Sequence, residues 1–240
     1  MTYPRIIGHR GAAALAPENT LAGFAKAAAL GVKMVELDAK LSADGEVIVH
    51  HDDTLGRTAN GEGPVAQASF AVLRALDAGG WFSPAYAGER IPTLAEALEA
   101  IAAAGMGVNV EIKPCAGRER ETAEAVIAVV REHWKGDEPF QFSSFRPLCL
   151  EVALEQAPEY ARGFLTDSFT EGWLERAQAL QAVSVNGNYR HYRKDRIAAV
   201  HAAGLLALAY TVNDPAIARQ LLDDGMDGII TDVPDQMMGL

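Results

Sequence analysis

Two carboxylates separated by one residue, in Glu36-Leu37-Asp38, stand where a short apolar run ends. In a β-strand the period of two sends Glu36 and Asp38 to one face and Leu37 to the other. Two adjacent buried anions need a cation. Asn109-Val110-Glu111-Ile112-Lys113 repeats the spacing, so Glu111 and Lys113 share a face of a second strand. If the two strands are neighbours in a barrel, Glu36, Asp38 and Glu111 make a three-carboxylate group suited to Mg²⁺ or Ca²⁺, hard ions that take oxygen ligands. Zinc is disfavoured by the lack of thiolates or clustered ligand histidines. The competing reading is a solvated strand end, or ion pairs with Lys33, Lys40 or Lys113, because acidic pairs are often structural.

His9 ends an apolar run in Gly8-His9-Arg10-Gly11, and His51 ends another in Glu46-Val47-Ile48-Val49-His50-His51. Strand alternation groups Val47, Val49 and His51 on one face and Ile48 and His50 on the other, which selects His51 as the second candidate. A pair of imidazoles can give and take protons near neutral pH. A lone histidine at a strand end is more often a core or surface residue, but two beside three carboxylates shift that balance. Arg10 and Lys113 would neutralise anionic oxygens, the first as a planar fork and the second as a point charge. Their plainer role is to balance the acidic group.

These side chains need strand ends to hold them. Short β-rich runs alternate with longer alanine- and leucine-rich segments, the pattern of strands in a parallel sheet with helices crossing back over it. About eight strands can be placed, at 5–9, 33–37, 107–111, 140–143, 162–165, 182–185, 206–210 and 228–231, with amphipathic stretches at 20–30, 94–104, 119–134, 147–156, 172–180, 194–203 and 215–224. Gly31, Gly105, Gly204 and Gly225 follow helical stretches, where a left-handed terminal residue is common. The expectation is a single TIM-type (β/α)₈ barrel over 1–240, with the site at the C-terminal ends of its strands. A doubly wound open sheet is the competing α/β architecture, but no G-x-G-x-x-G follows the first strand.

One stretch, from about 40 to 92, breaks the repeat. It opens on a hairpin-like turn at Ser42-Ala43-Asp44-Gly45 and continues rich in Gly, Ser, Thr and aromatics, including Trp81, Phe82 and Tyr86. It reads as an insertion over the barrel mouth, since long non-repeating segments are often functional lids; a purely structural excursion is the alternative. Asn19, just before the helical stretch at 20–30, is expected to cap it. Phe145, Trp173 and Tyr210 lie at strand ends, where they could touch a substrate or simply pack.

The 240 residues carry a formal charge of −11, from 32 acidic and 21 basic side chains, which disfavours nucleic acid and anionic lipid as partners. A small anionic substrate would therefore need local positive charge. Cys115 and Cys149 are too few and too far apart for a disulfide framework or a metal motif, and read as reduced thiols. The start of the chain lacks a signal-peptide pattern and no apolar run reaches the ~20 residues of a membrane span, so a cytoplasmic protein without a membrane partner is expected. Homodimer formation stays open, with no interface legible.

Taken in order, His9-Arg10-Gly11, Pro17-Glu18-Asn19-Thr20, Glu36-Leu37-Asp38, Asp44-Gly45, His51-Asp52-Asp53-Thr54-Leu55-Gly56-Arg57-Thr58, Glu111-Ile112-Lys113, Ser143-Ser144-Phe145, Tyr210-Thr211-Val212-Asn213 and Thr231-Asp232 resemble the glycerophosphodiester phosphodiesterase family, in its small cytoplasmic bacterial form. The resemblance spans nearly the whole chain. It implies a TIM barrel with a small insertion after the second strand. The implied reaction is metal-dependent hydrolysis of small glycerophosphodiesters, such as glycerophosphocholine and glycerophosphoethanolamine, to sn-glycerol 3-phosphate and an alcohol. By the family pattern Glu36, Asp38 and Glu111 hold the divalent ion, His9 and His51 act as acid and base, and Glu18 and Asn19 lie near the substrate; beside them Arg10 and Lys113 are expected to face the phosphoryl oxygens, Lys113 as a catalytic residue with the two histidines, and Phe145 is a further candidate contact. Attack by water and attack by the substrate's own glycerol hydroxyl, through a cyclic phosphate, both fit. Two competing readings are a lipid phosphodiesterase, which would want an apolar or basic docking rim, and a non-catalytic binding module, which the intact His9 and His51 disfavour.

Overall fold

The computed structural model of the chain describes residues 3–240. In chain order the elements are β1 (Ile6–Gly8), α1 (Leu21–Ala29), β2 (Met34–Leu41), β3 (Val47–Val49), α2 (Phe70–Ala75), α3 (Leu94–Ala103), β4 (Gly107–Ile112), α4 (Glu119–His133), β5 (Phe140–Ser144), α5 (Pro147–Gln156), β6 (Ala161–Thr166), α6 (Trp173–Ala179), β7 (Ser184–Asn188), α7 (Lys194–Ala202), β8 (Leu206–Tyr210), α8 (Pro215–Asp223), β9 (Gly228–Thr231) and α9 (Pro234–Met237). Strands β1, β2 and β4 to β9 pair in parallel, and β1 closes on both β9 and β2. The ring is an eight-stranded TIM barrel, and the open-sheet alternative is excluded by that closure. Among the described residues no helix is long and apolar enough to cross a membrane.

The helices cover the barrel because their apolar residues recur with helical period. In α3, Leu94, Ala97, Leu98 and Ile101 all turn inward, and Thr93 and Glu96 form a reciprocal capping box at its start. Leu98 is completely buried, so cutting it to alanine costs about 2–5 kcal/mol. Gly31 and Gly105 close α1 and α3 at φ of +83° and +65°, as their positions suggest.

Three expectations change. Strand β2 runs to Leu41, beyond the expected end at 37, because β3 pairs antiparallel with its last residues, Ala39 with Val49 and Leu41 with Val47. Strand β7 starts later, at Ser184, and runs through Asn186-Gly187-Asn188. Those polar residues read as loop by composition, but the barrel interior there is polar, and Phe169 and Tyr192 leave no room for a side chain at Gly187. The helix cap is Thr20, whose hydroxyl accepts from the Gly23 N–H. Asn19 instead adopts φ +56° and sends its side chain to Asp38.

Between β3 and α3 the chain makes two 3₁₀ turns and the short α2. This stretch has its own apolar cluster of Ile48, Leu55, Ala59, Val65, Leu73, Ala78 and Ile91. Arg74 of α2 grips Glu96 of α3 through two contacts of 2.6 Å.

Candidate active site

Glu36 and Asp38 point to the barrel interior from β2, and register places Asp38 opposite Glu111 of β4. Glu36, Asp38 and Glu111 are all buried, and one carboxylate oxygen from each lies within 4.8 Å of the others. Burial, then repulsion from Asp38 and Glu111, pushes the Glu36 carboxyl well above the usual range. Burial and the Asp38 charge push Glu111 up to about 7. Asp38 is buried as deeply, yet Arg10, Lys113 and His51 hold its carboxyl well below the ordinary value. The Asn19 amide donates to Asp38 at 2.8 Å. Three crowded oxygen donors, two of them resisting ionisation without further positive charge, fit a hard divalent cation. Lys40 does not compensate them, since its ammonium is bound by Asp53.

His9 and His51 face this group from opposite supports. His9 Nδ1 lies 2.6 Å from Asp232 at the end of β9, and its Nε2 lies 3.9 Å from Glu36. Asn213, beyond β8, donates to Asp232 at 2.6 Å and accepts from the Asp232 N–H and the Thr231 hydroxyl. His51 Nδ1 lies 2.6 Å from Asp52. In each ring the carboxylate assigns the proton to Nδ1 and leaves Nε2 for the cavity. Burial lowers the His51 pKa, with the Asp38 charge opposing it. His50 is buried outside the cavity, and its Nε2 has no partner among the described residues.

Arg10 sits at φ +49° in the turn after β1, and its N–H donates to Glu36 at 3.1 Å. Such a left-handed non-glycine residue persists only where its surroundings hold it. Gly11 allows the turn to lie on α1, because a Cβ there would come within 2.8 Å of the Gly23 backbone. The Arg10 guanidinium is 3.3 Å from Asp38, and Lys113 lies 3.0 Å from Glu111 and 3.4 Å from Asp38. Burial works against both cations, but the carboxylates around them raise both pKa values.

A cavity of about 190 Å³ opens over these groups, lined by His9, Arg10, Glu36, His51, Glu111 and Lys113 with Asn109, Ser143, Phe145, Leu165, Tyr210, Thr211 and Ile230. Phe145 and Tyr210 meet edge to face across it, with centroids 5.9 Å apart. Trp173 packs on Phe169 instead and is absent from the cavity wall. Glu18 does not line the cavity either. Its two oxygens are engaged by Arg10 at 2.7 Å and by both terminal nitrogens of Arg57 at 2.7 Å, while Arg57 also reaches Asp52 at 2.6 Å. Asp52, Arg57, Asn213 and Asp232 are therefore part of the site's framework. The adjacency of Asp52 to His51 and the carboxylate directly after β9 were signals available in the sequence; the Arg57 bridge was not.

Known proteins point the same way as this geometry. The model of the glycerophosphoryl diester phosphodiesterase family matches residues 9–236. A glycerophosphodiester phosphodiesterase of Caldanaerobacter subterraneus subsp. tengcongensis is 34% identical over 98% of this chain and 96% of its own. An Oleispira antarctica phosphodiesterase solved with its product sn-glycerol-3-phosphate superposes with a TM-score of 0.96 at 40% identity, covering 98% of this chain and 96% of that one. A glycerophosphodiester phosphodiesterase from Agrobacterium tumefaciens gives 0.83 at 31% identity over the full length of both chains. With a closed barrel, a carboxylate triad and two carboxylate-anchored histidines at one mouth, the chain belongs to the glycerophosphoryl diester phosphodiesterase family.

Proposed function

We propose that the protein hydrolyses small glycerophosphodiesters, glycerophosphocholine and glycerophosphoethanolamine among them, to sn-glycerol 3-phosphate and the free alcohol. The reading is carried by one conjunction: His9 Nε2, His51, Arg10 and Lys113 converge with the Glu36, Asp38 and Glu111 triad on a single cavity. It is supported by the product named for the Oleispira antarctica relative. Glu36, Asp38 and Glu111 are the residues that would hold Mg²⁺ or Ca²⁺, which supplies charge to offset the negative charge that builds on the phosphoryl oxygens.

Arg10 and Lys113 orient the phosphoryl group and stabilise the same charge. His51, kept neutral by burial, takes the proton from the attacking hydroxyl as the new P–O bond forms. His9, which enters the step protonated on both ring nitrogens between Asp232 and Glu36, gives its Nε2 proton to the head-group oxygen as the bond of that oxygen to phosphorus breaks. These two transfers balance whether the nucleophile is water or the neighbouring glycerol hydroxyl. In the second case water opens the cyclic phosphate with the histidine roles exchanged.

The test is release of glycerol 3-phosphate from glycerophosphocholine and glycerophosphoethanolamine, with Mg²⁺ or Ca²⁺ and again with chelator. Turnover that chelation abolishes and added cation restores is expected. No product with any divalent ion sinks the reading, and full activity in chelator removes the cation from it.

A further inference from the structure

The cavity over the carboxylates has a neighbour. A second hollow, of about 180 Å³, shares Glu111, Lys113 and Phe145 with it and is lined further by Asp53, Ser144 and Arg146. The turn after β5 fixes Arg146 at its backbone: the Arg146 N–H donates to the Ser144 hydroxyl at 3.1 Å, and that hydroxyl donates to the Ile112 carbonyl at 2.6 Å. Arg146 is exposed, and no carboxylate pairs with its guanidinium among the described residues. Asp53 gives Oδ1 to the buried Lys40 ammonium and leaves Oδ2 free, on a side chain that is 72% exposed. The Lys40 hydrogen bond holds this carboxyl below its ordinary value, so it is ionised at neutral pH. One unpaired cation and one half-free anion thus stand beside the groups that face the phosphoryl oxygens.

We infer that this hollow receives the departing alcohol, and that Arg146 and Asp53 select an alcohol bearing both a carboxylate and an ammonium, as serine does. The inference rests on the proposed phosphodiesterase activity and deepens it by naming the head-group class. A diester has two arms. With its phosphoryl group held by Arg10 and Lys113, one arm enters the cavity and the other passes Lys113 into the hollow, whose exposed side at Asp53 and Arg146 suits the arm that differs between substrates. Arg146 presents the planar fork that takes a carboxylate through two parallel bonds, and Asp53 Oδ2 accepts from an ammonium. Ethanolamine meets Asp53 but leaves Arg146 as an unpaired like charge close by. Choline has no N–H to donate, and the Phe145 ring on which it could rest already has the Lys113 ammonium 5.9 Å from its centroid. An uncharged polyol forms an ion pair with neither side chain.

The experiment compares kcat/KM for glycerophosphoserine with that for two diesters each lacking one of its charges, glycerophosphoethanolamine and the glycerophosphodiester of 3-hydroxypropionate. The unmodified enzyme is expected to prefer the serine diester to each by about 10-fold, the effect of one charge-assisted hydrogen bond left unmade at an exposed rim. Arg146→Gln is expected to bring the serine-to-ethanolamine ratio close to one while the serine-to-hydroxypropionate ratio persists, and Arg146→Lys should restore only part of the first ratio. Using the hydroxypropionate diester tests Asp53 without disturbing its bond to Lys40. A serine-to-ethanolamine ratio below twofold in the unmodified enzyme, or one that survives Arg146→Gln, overturns the selection by Arg146; equal turnover of the serine and hydroxypropionate diesters overturns the part given to Asp53. No turnover of any of the three, with either cation, overturns instead the activity on which the inference rests.

Discussion

The two histidines are held by opposite means. His9 continues the β1–β9 ladder through its N–H bond to the Thr231 carbonyl at 2.8 Å, and its anchors Asp232 and Asn213 sit on neighbouring strand ends. His51 lies past the short antiparallel β3, in the stretch between β3 and α3 that leaves the barrel repeat. Its anchor Asp52 is tied to the barrel through Arg57 and Glu18, and the Arg57 side chain is 46% exposed. Strand register positions one imidazole, and an ion-pair relay positions the other. Main-chain ladders tolerate salt and side-chain loss better than exposed ion pairs, which are screened and individually weak. The two halves of the site should therefore respond differently to the same perturbation.

The largest effect should be common to both halves. His9→Ala and His51→Ala are each expected to lower kcat by about 10²- to 10⁴-fold, the usual worth of general acid–base catalysis, with circular dichroism unchanged. The double variant should lose little more than the worse single one, as residues acting in one step are not additive. Retention of most activity in either variant would move proton transfer elsewhere.

The next effects separate the halves. Asp232→Asn is expected to cost about 10- to 100-fold in kcat, the scale reported when a histidine loses its orienting carboxylate, and to be insensitive to ionic strength. Arg57→Ala should cost about tenfold or less in kcat/KM and displace the acid limb of the pH–rate profile. Asp52, whose carboxyl the Arg57 hydrogen bonds hold below its normal range, then titrates closer to its ordinary value. In the unmodified enzyme, moderate salt should mimic part of the Arg57→Ala loss and leave nothing further to lose in the variant. Arg57→Lys should rescue poorly, because one ammonium cannot span Glu18 and Asp52 together. Equal salt sensitivity in Asp232→Asn and Arg57→Ala would erase the distinction between the two supports.

How much of this was legible follows the range of each interaction. Glu36 with Asp38, and Glu111 with Lys113, are two residues apart, so strand alternation alone placed each pair on one face, and the barrel repeat made the two strands neighbours. The same alternation separated His51 from His50. His9 and Asp232 are 223 positions apart, and only barrel closure brings them together. The Arg57 bridge spans 39 positions between two loops, where no periodic rule operates. Asn19 was misassigned because asparagine and threonine are both good caps and stand side by side; only the left-handed φ of Asn19 separates them. Helix α2 was missed because six residues inside a glycine-rich stretch carry less than two turns of pattern. The end of β7 was missed because Asn186, Gly187 and Asn188 break the rule that barrel strands are apolar, and they break it where the barrel interior is polar.

The smallest effect concerns how the His51 side keeps its shape without barrel ladders. In the loop leading to Trp81, the Asp77 carboxylate accepts from the N–H groups of Gly79, Gly80 and Gly88 at 2.9, 2.7 and 2.8 Å. The Gly80 bond, then those of Gly79 and Gly88, lower its pKa in the folded protein. A carboxyl with a depressed folded pKa contributes stability above its unfolded value, near 3.9, and loses it as pH falls through the lower folded value. Asp77→Asn should therefore lower the melting temperature slightly at pH 7, with the deficit shrinking as pH is brought below about 4. The protection factors of the Gly79, Gly80 and Gly88 amides, taken against the intrinsic rate at each pH, should fall over the same interval, while those of β1 and β9 hold. A deficit independent of pH, or barrel amides that open together with the glycines, would mean that this segment is held by its apolar cluster and the carboxylate is incidental.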